Sequence, residues 1–454
     1  MAEALAPDAV AEAIGLTPED LNRARDRERV VLARHGHRRL GLLWLLVGPG
    51  ILAMLGENDG PSMLSYAASG ATYGVGFFLP FIVLTFAAAV VVQEMAMRVG
   101  AVTHRGYQEL VHQRFGHFWG WLSAVDLLVT NFVTVITELI AVRVGMAFFG
   151  VPPVVAVALA LALVAFSIAG GRYWRWERIA LGLAAFNLLF LVAGIMAGPD
   201  PKAVGHALLT WTPLPSGGLQ LFLLLLASDI GATVTPWMLF FQQSAVVDKG
   251  MTPRDIPQGR IDTAIGGVVA ALAGCGALLA AAALYTHHVP GSHLQGAAFA
   301  DLLRPIIGAP GAAVFSLGLI EAGALAMMTI SASTAYALGE VLSGPHSFNR
   351  RLSDAPSFYA FNLSLALLAA IVVLIPGAPL LAITLNANLL ATVLMPAALV
   401  LLLLLANDRE LMGPQANRRS LNVAAGVVVV AVALAGCAYA VVAFLDAIGL
   451  RLGA

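Results

Sequence analysis

A short polar segment interrupts a long apolar stretch near the start of the chain. The stretch runs from Leu40 to Tyr73, and its interruption reads Gly56-Glu57-Asn58-Asp59-Gly60-Pro61-Ser62. Each carboxylate at bilayer depth costs about 2.5–3.5 kcal/mol on insertion scales. Glycine and proline break a helix there and release backbone carbonyl groups. A membrane protein that carries both costs at one point is expected to bind something there, and these oxygen atoms suit a cation.

A second interruption repeats this pattern in the later half of the chain. It reads Ser228-Asp229-Ile230-Gly231-Ala232-Thr233-Val234-Thr235-Pro236 and also lies between two apolar stretches. Interrupted segments at matching positions of two halves are the best sequence indication of a transporter's central site. The alternative is that both are ordinary glycine and proline kinks, which are common in membrane helices.

The side chains at the two breaks offer oxygen atoms. Between 56 and 62 and between 228 and 236 there is no methionine, cysteine or histidine; Met54 and Met238 lie just outside. Oxygen ligands suit hard cations such as Mg²⁺, Ca²⁺ or Mn²⁺. The candidate side-chain donors, with the carbonyl groups near Gly56 and Ala232, are Glu57, Asn58, Asp59, Ser62, Thr233 and Thr235.

The composition predicts that these breaks lie in a multi-pass membrane protein. The chain has 454 residues, of which 59% are hydrophobic and 11% charged, whereas soluble domains average about 25% charged residues. A bilayer requires about 20 apolar residues per helix, which predicts about eleven spans. Their expected limits are 41–73, 76–97, 119–149, 152–170, 178–198, 218–247, 263–286, 311–342, 356–376, 379–406 and 421–446.

The two breaks fall in the first and sixth of these spans. That spacing predicts an inverted repeat of five plus five helices with one span appended. We therefore expect a cytosolic segment over 1–40, a first repeat over 41–198 and a second repeat over 218–406. A cytosolic loop and the eleventh span would occupy 407–454.

Basic residues indicate how the chain is oriented. They lie in alternate loops, while the opposite loops hold little beyond Lys202 and Arg304. The positive-inside rule then predicts a cytosolic N-terminus and, with an odd number of spans, an outside C-terminus. The basic loop residues are Arg98, Arg105 and Arg114; Arg172, Arg175 and Arg178; Lys249, Arg254 and Arg260; Arg350 and Arg351; and Arg409, Arg418 and Arg419.

Several other classes of protein are disfavoured. The formal net charge of −1 gives no sign of a nucleic-acid partner. The first forty residues lack a long apolar run, so no signal peptide is expected; a helix starting at Pro18 is predicted there. His-Glu-x-x-His is absent, and no enzyme activity or cofactor is expected. The sequence leaves the oligomeric state open, and a monomer is compatible with it.

These motifs resemble the NRAMP family of divalent-metal transporters. Gly48-Pro49-Gly50, followed by Asp59, resembles the opening of that family's first span, and Asp59-Gly60-Pro61-Ser62 resembles its metal-binding Asp-Pro-Gly-Asn. Ala232-Thr233-Val234-Thr235-Pro236 resembles its sixth-span Ala-Thr-Ile-Met-Pro. The resemblance extends over all the spans and to Asn407-Asp408-Arg409-Glu410-Leu411-Met412-Gly413. It implies the LeuT-type fold, an all-α membrane architecture with broken helices in spans one and six.

The resemblance also implies site residues and changes among them. The family's metal-binding aspartate carries over to Asp59, and its carbonyl ligands to Gly56 and Ala232. Its asparagine corresponds to Ser62 and its methionine to Thr235. Its two sixth-span histidines, the first of which is tied to proton coupling, correspond to Trp237 and to a position near Gln242. Its span-ten glutamine matches Asn388.

This chain is similar to the NRAMP-related magnesium transporter branch in two respects. It lacks the methionine, as that branch does, and its residues 333–340 resemble that branch's sequence. We therefore expect an importer of Mg²⁺, and also of Mn²⁺, that works by alternating access with weak or no proton coupling. Asp59 would anchor the ion, and the groups of Ser62, Thr235, Gly56 and Ala232 would bind it directly or through water. Further candidate ligands are Glu57, Asn58, Gln242 and Asn388.

Two alternatives remain open at this point. One is a proton-coupled Mn²⁺/Fe²⁺ symporter that uses Asp126, Glu138 or Glu321. The other is a Na⁺-coupled carrier of organic solutes, which Glu57 and Asp59 disfavour because an anionic substrate needs the half-helix N-termini free of acid. Neither the residues nor the resemblance explains the extra acid, Glu57.

Overall fold

The computed structural model describes residues 18–36, 39–211, 219–287, 299–375 and 380–447. The helices of the N-terminal half are α1 (Pro18–His35), α2 (Arg39–Leu46), α3 (Pro49–Gly56), α4 (Gly60–Tyr73), α5 (Phe78–Thr103), α6 (Tyr107–Phe115), α7 (His117–Ala147), α8 (Pro153–Ile168), α9 (Tyr173–Ala184), α10 (Leu189–Met196) and α11 (Pro201–Thr210). Those of the C-terminal half are α12 (Leu219–Gly231), α13 (Pro236–Asp248), α14 (Ile256–Thr286), α15 (Phe299–Val341), α16 (Pro356–Leu374), α17 (Leu380–Asn407), α18 (Arg409–Met412) and α19 (Arg419–Ala447). Short 3₁₀ turns occupy Ala185–Leu188, Pro253–Asp255 and Gly413–Gln415.

The helices supply the expected membrane spans. In the described part of the chain, 9 helices are long and apolar enough to cross a membrane. The two remaining expected spans are the shorter apolar helix α8 and the first span, which is divided between α3 and α4. The sixth span is divided between α12 and α13. The pair of broken helices therefore lies where the sequence predicted it.

Packing relates the two halves of the molecule. The second span (α5) packs against the seventh (α14), and the third (α7) packs extensively against the eighth (α15). These pairs join equivalent members of the two five-helix repeats. Helix α14 also packs along both α3 and α4, so the first break is enclosed by neighbouring spans.

Three predicted boundaries differ from the structure. The first span begins at Pro49 rather than at 41, because Gly48 separates α2 from α3 with a φ of 156°. A side chain at Gly48 would meet Glu177, whose carboxylate oxygen lies 2.1 Å from the position of a Cβ atom. The fifth span starts earlier than predicted, at Tyr173, and α15 starts before residue 311 but kinks at Gly308, where φ is 73°.

Helix α1, described over Pro18–His35, is attached to two loops. Arg27 and Arg34 each form an ion pair of 2.6 Å with Asp255, which follows the sixth span. Asp26 accepts a hydrogen bond of 3.2 Å from Arg172, which precedes the fifth span. The N-terminal helix therefore bridges loops of both repeats.

Candidate metal site

At the first break, one half-helix ends and the next begins a few residues later. Helix α3 ends at Gly56, and Asp59 takes an extended conformation, with φ −76° and ψ 175°, before α4 begins. The Asp59 carboxylate caps α4 by accepting a 2.9 Å hydrogen bond from the Ser62 backbone N–H. Pro61, in the first turn of α4, needs no hydrogen bond for its nitrogen. The cap of α4 is thus formed entirely by residues of the local sequence.

Four oxygen atoms at this break are buried and receive no hydrogen bond from an N–H or hydroxyl group of the described residues, although the Asp59 carboxyl group contacts that of Glu138. They are Glu57 Oε1, Asn58 Oδ1, Asp59 Oδ2 and Ser62 Oγ. All four residues are buried, with at most 1% of the surface of each exposed. A buried oxygen that lacks a donor loses its hydration without compensation, so such groups need an ordered water or an ion. The first break therefore has the chemistry of an oxygen-lined cation site.

Thr235 joins the second break to the first. It occupies the N-cap position of α13 in an extended conformation, but its side chain makes no cap hydrogen bond. Its hydroxyl instead donates a 2.8 Å hydrogen bond to Glu57 Oε2. The sequence predicted both residues as candidate ligands, and the structure brings them into contact across the two repeats.

Glu138 on α7 supports the first break from the side. Its Oε2 accepts a 2.9 Å hydrogen bond from the Gly60 N–H, which in a continuous helix would bond to the Gly56 carbonyl. The Gly56 carbonyl is thereby released from its helical hydrogen bond. Gly60 must be small here, because a Cβ atom would lie 2.2 Å from the Ala141 side chain.

Trp237 closes one side of the break. A Cβ atom on Gly56 would lie 2.9 Å from the Trp237 ring and equally close to the Thr329 hydroxyl. Trp237 is fully buried, and its indole N–H has no partner in the described structure. The position that the resemblance assigns to a histidine thus holds a large apolar ring against the carbonyl-bearing end of α3.

The carbonyl group of Ala232 is bound by Tyr66, a residue that was not predicted to belong to the site. The Tyr66 hydroxyl donates a 2.8 Å hydrogen bond to it and lies 3.0 Å from the Thr233 hydroxyl. Thr233 also contacts Thr85 at 3.0 Å. A carbonyl oxygen has two lone pairs, so Ala232 keeps one that could face an ion. Tyr66 carries no sequence signal, since an aromatic residue in a membrane helix usually packs in the core.

Two of the further candidates reach the breaks less directly. Gln242 lies seven residues beyond Thr235 on α13, about 10 Å along the helix. Its amide nitrogen lies 3.5 Å from the Thr263 hydroxyl of α14. The backbone of Asn388 packs so closely on Gly231 that a Cβ atom there would lie 2.0 Å from the Asn388 carbonyl oxygen. Gln242 is therefore separated from the first break, whereas Asn388 brings the tenth span to the second.

Asn58 is held by residues of the fifth and seventh spans. Its amide nitrogen donates hydrogen bonds of 2.7 Å to Asn187 Oδ1 and 2.9 Å to the Ala270 carbonyl. Asn187 was not among the predicted site residues. The signal available in the sequence was a single amide inside the apolar fifth span.

The other end of α3 is anchored by charged groups. The Asp262 carboxylate accepts hydrogen bonds from the N–H groups of Gly48, at 3.0 Å, and Gly50, at 2.7 Å. Lys249 donates 2.7 Å hydrogen bonds to the Val47 carbonyl and to the Glu177 carboxylate. Spans five, six and seven thus close around the start of the first span.

The donor set is mixed rather than acidic. Among the residues that the structure describes, no group of three or more His, Cys, Asp or Glu side chains is arranged to hold a metal ion. An ion at the first break would therefore depend on one or two carboxylates completed by amide, hydroxyl, carbonyl or water oxygens. Such a set of oxygen atoms suits a hard divalent cation that keeps part of its water shell.

Comparisons with known proteins agree with this architecture. A sequence model of the natural resistance-associated macrophage protein-like family, Nramp, matches residues 50–442. The divalent metal cation transporter MntH of Mycobacterium leprae is 26% identical over 429 residues, which cover 89% of this chain and 93% of that protein. The protein of the same name from Deinococcus radiodurans is 24% identical over 423 residues, with 88% and 91% covered.

Solved structures show the same fold. A crystal structure of a variant of the Eremococcus coleocola manganese transporter gives a TM-score of 0.74 at 19% identity, covering 88% of this chain and 87% of that one. MhsT in complex with L-phenylalanine gives 0.56 at 14% identity, with 86% and 98% covered. The predicted all-α, LeuT-type fold is confirmed. These names speak of divalent metal or manganese and do not support the resemblance to a magnesium branch.

Proposed function

The chain belongs to the natural resistance-associated macrophage protein-like family, and we propose that it carries a divalent metal cation across the membrane through the paired breaks. The ion is the transported substrate rather than a resident cofactor. The relatives described above are named transporters, which agrees with the lack of catalytic motifs in the sequence.

The observation that carries this proposal is the set of four buried, partnerless oxygen atoms at the first break. Asp59 supplies the anchoring charge, and Glu57, Asn58 and Ser62 supply the neighbouring oxygens. Thr235 joins through its bond to Glu57, and the released Gly56 carbonyl and the second lone pair of Ala232 complete the set. Asn388 and Gln242 are assigned to the walls of the pathway.

We further propose that the transported ions are hard cations, Mg²⁺ together with Mn²⁺. Thioether ligands favour softer transition metals, and Thr235 stands where the family resemblance places a methionine. The thioether of Met54, just before the break, points towards the seventh span, since a Cβ atom on Gly267 would lie 3.4 Å from the terminal methyl group of Met54. No soft ligand therefore faces the partnerless oxygens from that direction.

The second candidate function is a proton-coupled Mn²⁺ symporter. The relatives' names favour manganese as the ion, and Glu138, a buried acid whose carboxyl group contacts that of Asp59 beside the break, is a candidate to carry the proton. Against coupling stands Trp237 at the position of the family's histidine. A Na⁺-coupled carrier of organic solutes is a third alternative, since MhsT, which shares this fold, was solved in complex with L-phenylalanine; the acids at the first break disfavour an anionic substrate.

Uptake into proteoliposomes tests these functions directly. We expect the purified protein to take up Mn²⁺, and Mg²⁺ to enter and to compete with it. Absence of both ions from the vesicle interior would overturn the transport proposal. If Mn²⁺ enters but Mg²⁺ neither enters nor competes, the proposal for Mg²⁺ fails. Uptake driven by a pH gradient at zero membrane potential would support the symporter instead.

We also propose an orientation of the chain in the membrane. With the N-terminus in the cytosol, the start of α3 near Gly48, which spans five to seven surround, lies on the cytosolic side, and the C-terminus lies outside the cell. The protein would be a multi-pass protein of the cell membrane. Labelling a single cysteine introduced at either terminus with a membrane-impermeant reagent on intact cells checks this assignment.

A further inference from the structure

Glu321 is a buried carboxylate of the eighth span that the proposed mechanism does not use. Only 5% of its surface is exposed, and it lies beside an apolar groove of about 330 Å³ between spans three, four, five and eight. Its Oε2 accepts a 3.3 Å hydrogen bond from Asn187 Nδ2. In the described part of the chain, its Oε1 has no partner and the residue forms no ion pair. Intramembrane acids are functional candidates by default because they are costly.

Glu321 is connected to the first break through two amides. Asn187 donates to Glu321 and accepts a 2.7 Å hydrogen bond from Asn58 Nδ2. Asn58 is therefore the last member of a relay that begins on the eighth span. Its remaining atom, Oδ1, is one of the partnerless oxygens of the break.

The direction of this relay follows from the chemistry of its ends. The Ala270 carbonyl can only accept, so the atom of Asn58 that faces it at 2.9 Å is the amide nitrogen. Asn187 must then present its oxygen to that nitrogen and its own nitrogen to Glu321. A carboxylate oxygen accepts this last bond. Each amide thus has one allowed orientation, and Asn58 Oδ1 is the atom left free.

Local structure explains how Asn187 reaches this place. The fifth span changes from α to 3₁₀ geometry over Ala185–Leu188 and then resumes as α10. Mid-helix 3₁₀ turns often mark functional positions. Asn187 is fully buried although it lies in an apolar span, so the turn buries a single amide between Glu321 and Asn58.

We propose that Glu321 and Asn187 are positioning residues that hold Asn58 with its Oδ1 presented as a ligand for the transported cation. This inference rests on the proposed function. Without an acceptor at position 321, Asn187 Nδ2 is buried and unpaired, and the Asn187 side chain rotates to form a different hydrogen bond. Asn58 then keeps only its bond to Ala270, and the ligand oxygen is no longer fixed.

The main test compares Glu321→Leu, Glu321→Gln and Asn187→Leu in Mn²⁺ uptake by proteoliposomes. Loss of groups that orient metal ligands typically lowers metal affinity by about 10–100-fold. We therefore expect Glu321→Leu and Asn187→Leu to raise KM about tenfold or more while kcat changes little. Glu321→Gln keeps an acceptor oxygen for Asn187 and is expected to stay near the wild-type KM.

Asn131→Leu is the matched control. Asn131 is another buried amide, which donates to Ser333 and Thr334 of the eighth span at 2.9 and 2.8 Å and has no bond to the relay. Its replacement should lower the melting temperature but leave KM unchanged. A rise in KM equal to that of Asn187→Leu would mean that any buried amide has the same effect, and the proposal would be wrong.

Two combined variants sharpen the test. In an Asn58→Ala background, Glu321→Leu should raise KM no further, because the ligand it positions is gone. Asn187→Asp should impair uptake, and adding Glu321→Gln should restore it, since the new carboxylate can accept from Asn58 and from the new amide. This pair remains informative if Glu321→Leu does not fold.

The proposal is overturned if the folded Glu321→Leu and Asn187→Leu variants keep the wild-type KM. It is also overturned if Glu321→Gln is as impaired as Glu321→Leu, since charge rather than position would then matter. Additive effects of Asn58→Ala and Glu321→Leu would contradict it as well. If the wild-type protein transports no divalent ion, the proposed function has failed instead.

Discussion

Glu57 connects the two breaks at the level of a single side chain. One carboxylate oxygen accepts from the Thr235 hydroxyl, and the other is buried without a partner among the described residues. Its neighbour Asp59 uses one oxygen to cap α4, while the other receives no hydrogen bond from an N–H or hydroxyl group of the described residues; the Asp59 carboxyl group lies beside that of Glu138. Each acid therefore has one structural and one available oxygen, a division that suits a site that must both hold its shape and bind an ion.

Replacing Asp59 should abolish transport. We expect Asp59→Ala to reduce Mn²⁺ uptake to the level of empty liposomes, because both the anchoring charge and the cap of α4 are lost. Asp59→Asn separates these roles, since asparagine can still cap the helix but carries no charge. Full uptake by either variant would contradict the anchoring role.

Thr235→Met should change which ion is preferred. A thioether favours softer metals, so the ratio of Mn²⁺ or Cd²⁺ uptake to Mg²⁺ uptake should rise. Thr235→Val is the control, because it also removes the donor to Glu57 but adds no sulfur. Competition assays in proteoliposomes measure the ratio, and an unchanged ratio would show that this position does not select the ion.

At the level of elements, the start of α3 depends on one carboxylate from another span. Asp262 accepts from the N–H groups of Gly48 and Gly50 and, at 3.4 Å, of Ile51. These are N-terminal groups that a helix leaves unsatisfied. Together with Lys249 and Glu177, Asp262 determines how firmly the first half-helix is held to spans five to seven.

Asp262→Ala should loosen this end of the first span. A buried polar group without a hydrogen bond costs about 1–3 kcal/mol. The loss of the three hydrogen bonds that Asp262 accepts should therefore measurably weaken the attachment of the start of α3 to spans five to seven. Hydrogen exchange should accelerate over residues 47–52 while other spans stay protected. Ser316→Ala, a buried change on α15 whose hydroxyl bonds only within its own helix, should leave this segment unaffected. Equal protection of the segment in both variants would contradict the anchoring role.

For the whole molecule, we predict that the membrane potential drives entry of the ion. Moving two charges through 100 mV is worth about 4.6 kcal/mol, or about three orders of magnitude in accumulation. An inside-negative potassium diffusion potential should therefore increase Mn²⁺ uptake strongly at equal pH. Uptake that responds to a pH gradient but not to this potential would favour the proton-coupled symporter.

Much of this architecture can be predicted from the sequence, because membrane insertion leaves strong local signals. The length of apolar stretches locates the spans, and Gly56, Gly231 and Pro236 mark the breaks. The apolar pattern predicted a first span from residue 41, whereas α3 begins at Pro49, directly after Gly48. Its unusual φ and its close approach to Glu177 depend on a neighbouring span.

For the site, the sequence by itself determined the residues of the two breaks, because polar residues with glycine and proline are easily recognised inside an apolar span. Only the tertiary structure decided their partners. It placed Thr235 on Glu57, Glu138 on Gly60 and Tyr66 on Ala232, and it separated Gln242 from the first break. It also added Asn187 as the link between Asn58 and Glu321. The physical reason is that hydrogen bonds between distant spans depend on how each helix is rotated about its axis and how deep it lies in the bundle. A helix that is apolar on every face gives nearly the same hydrophobic pattern for each rotation, so the sequence does not determine which residues meet.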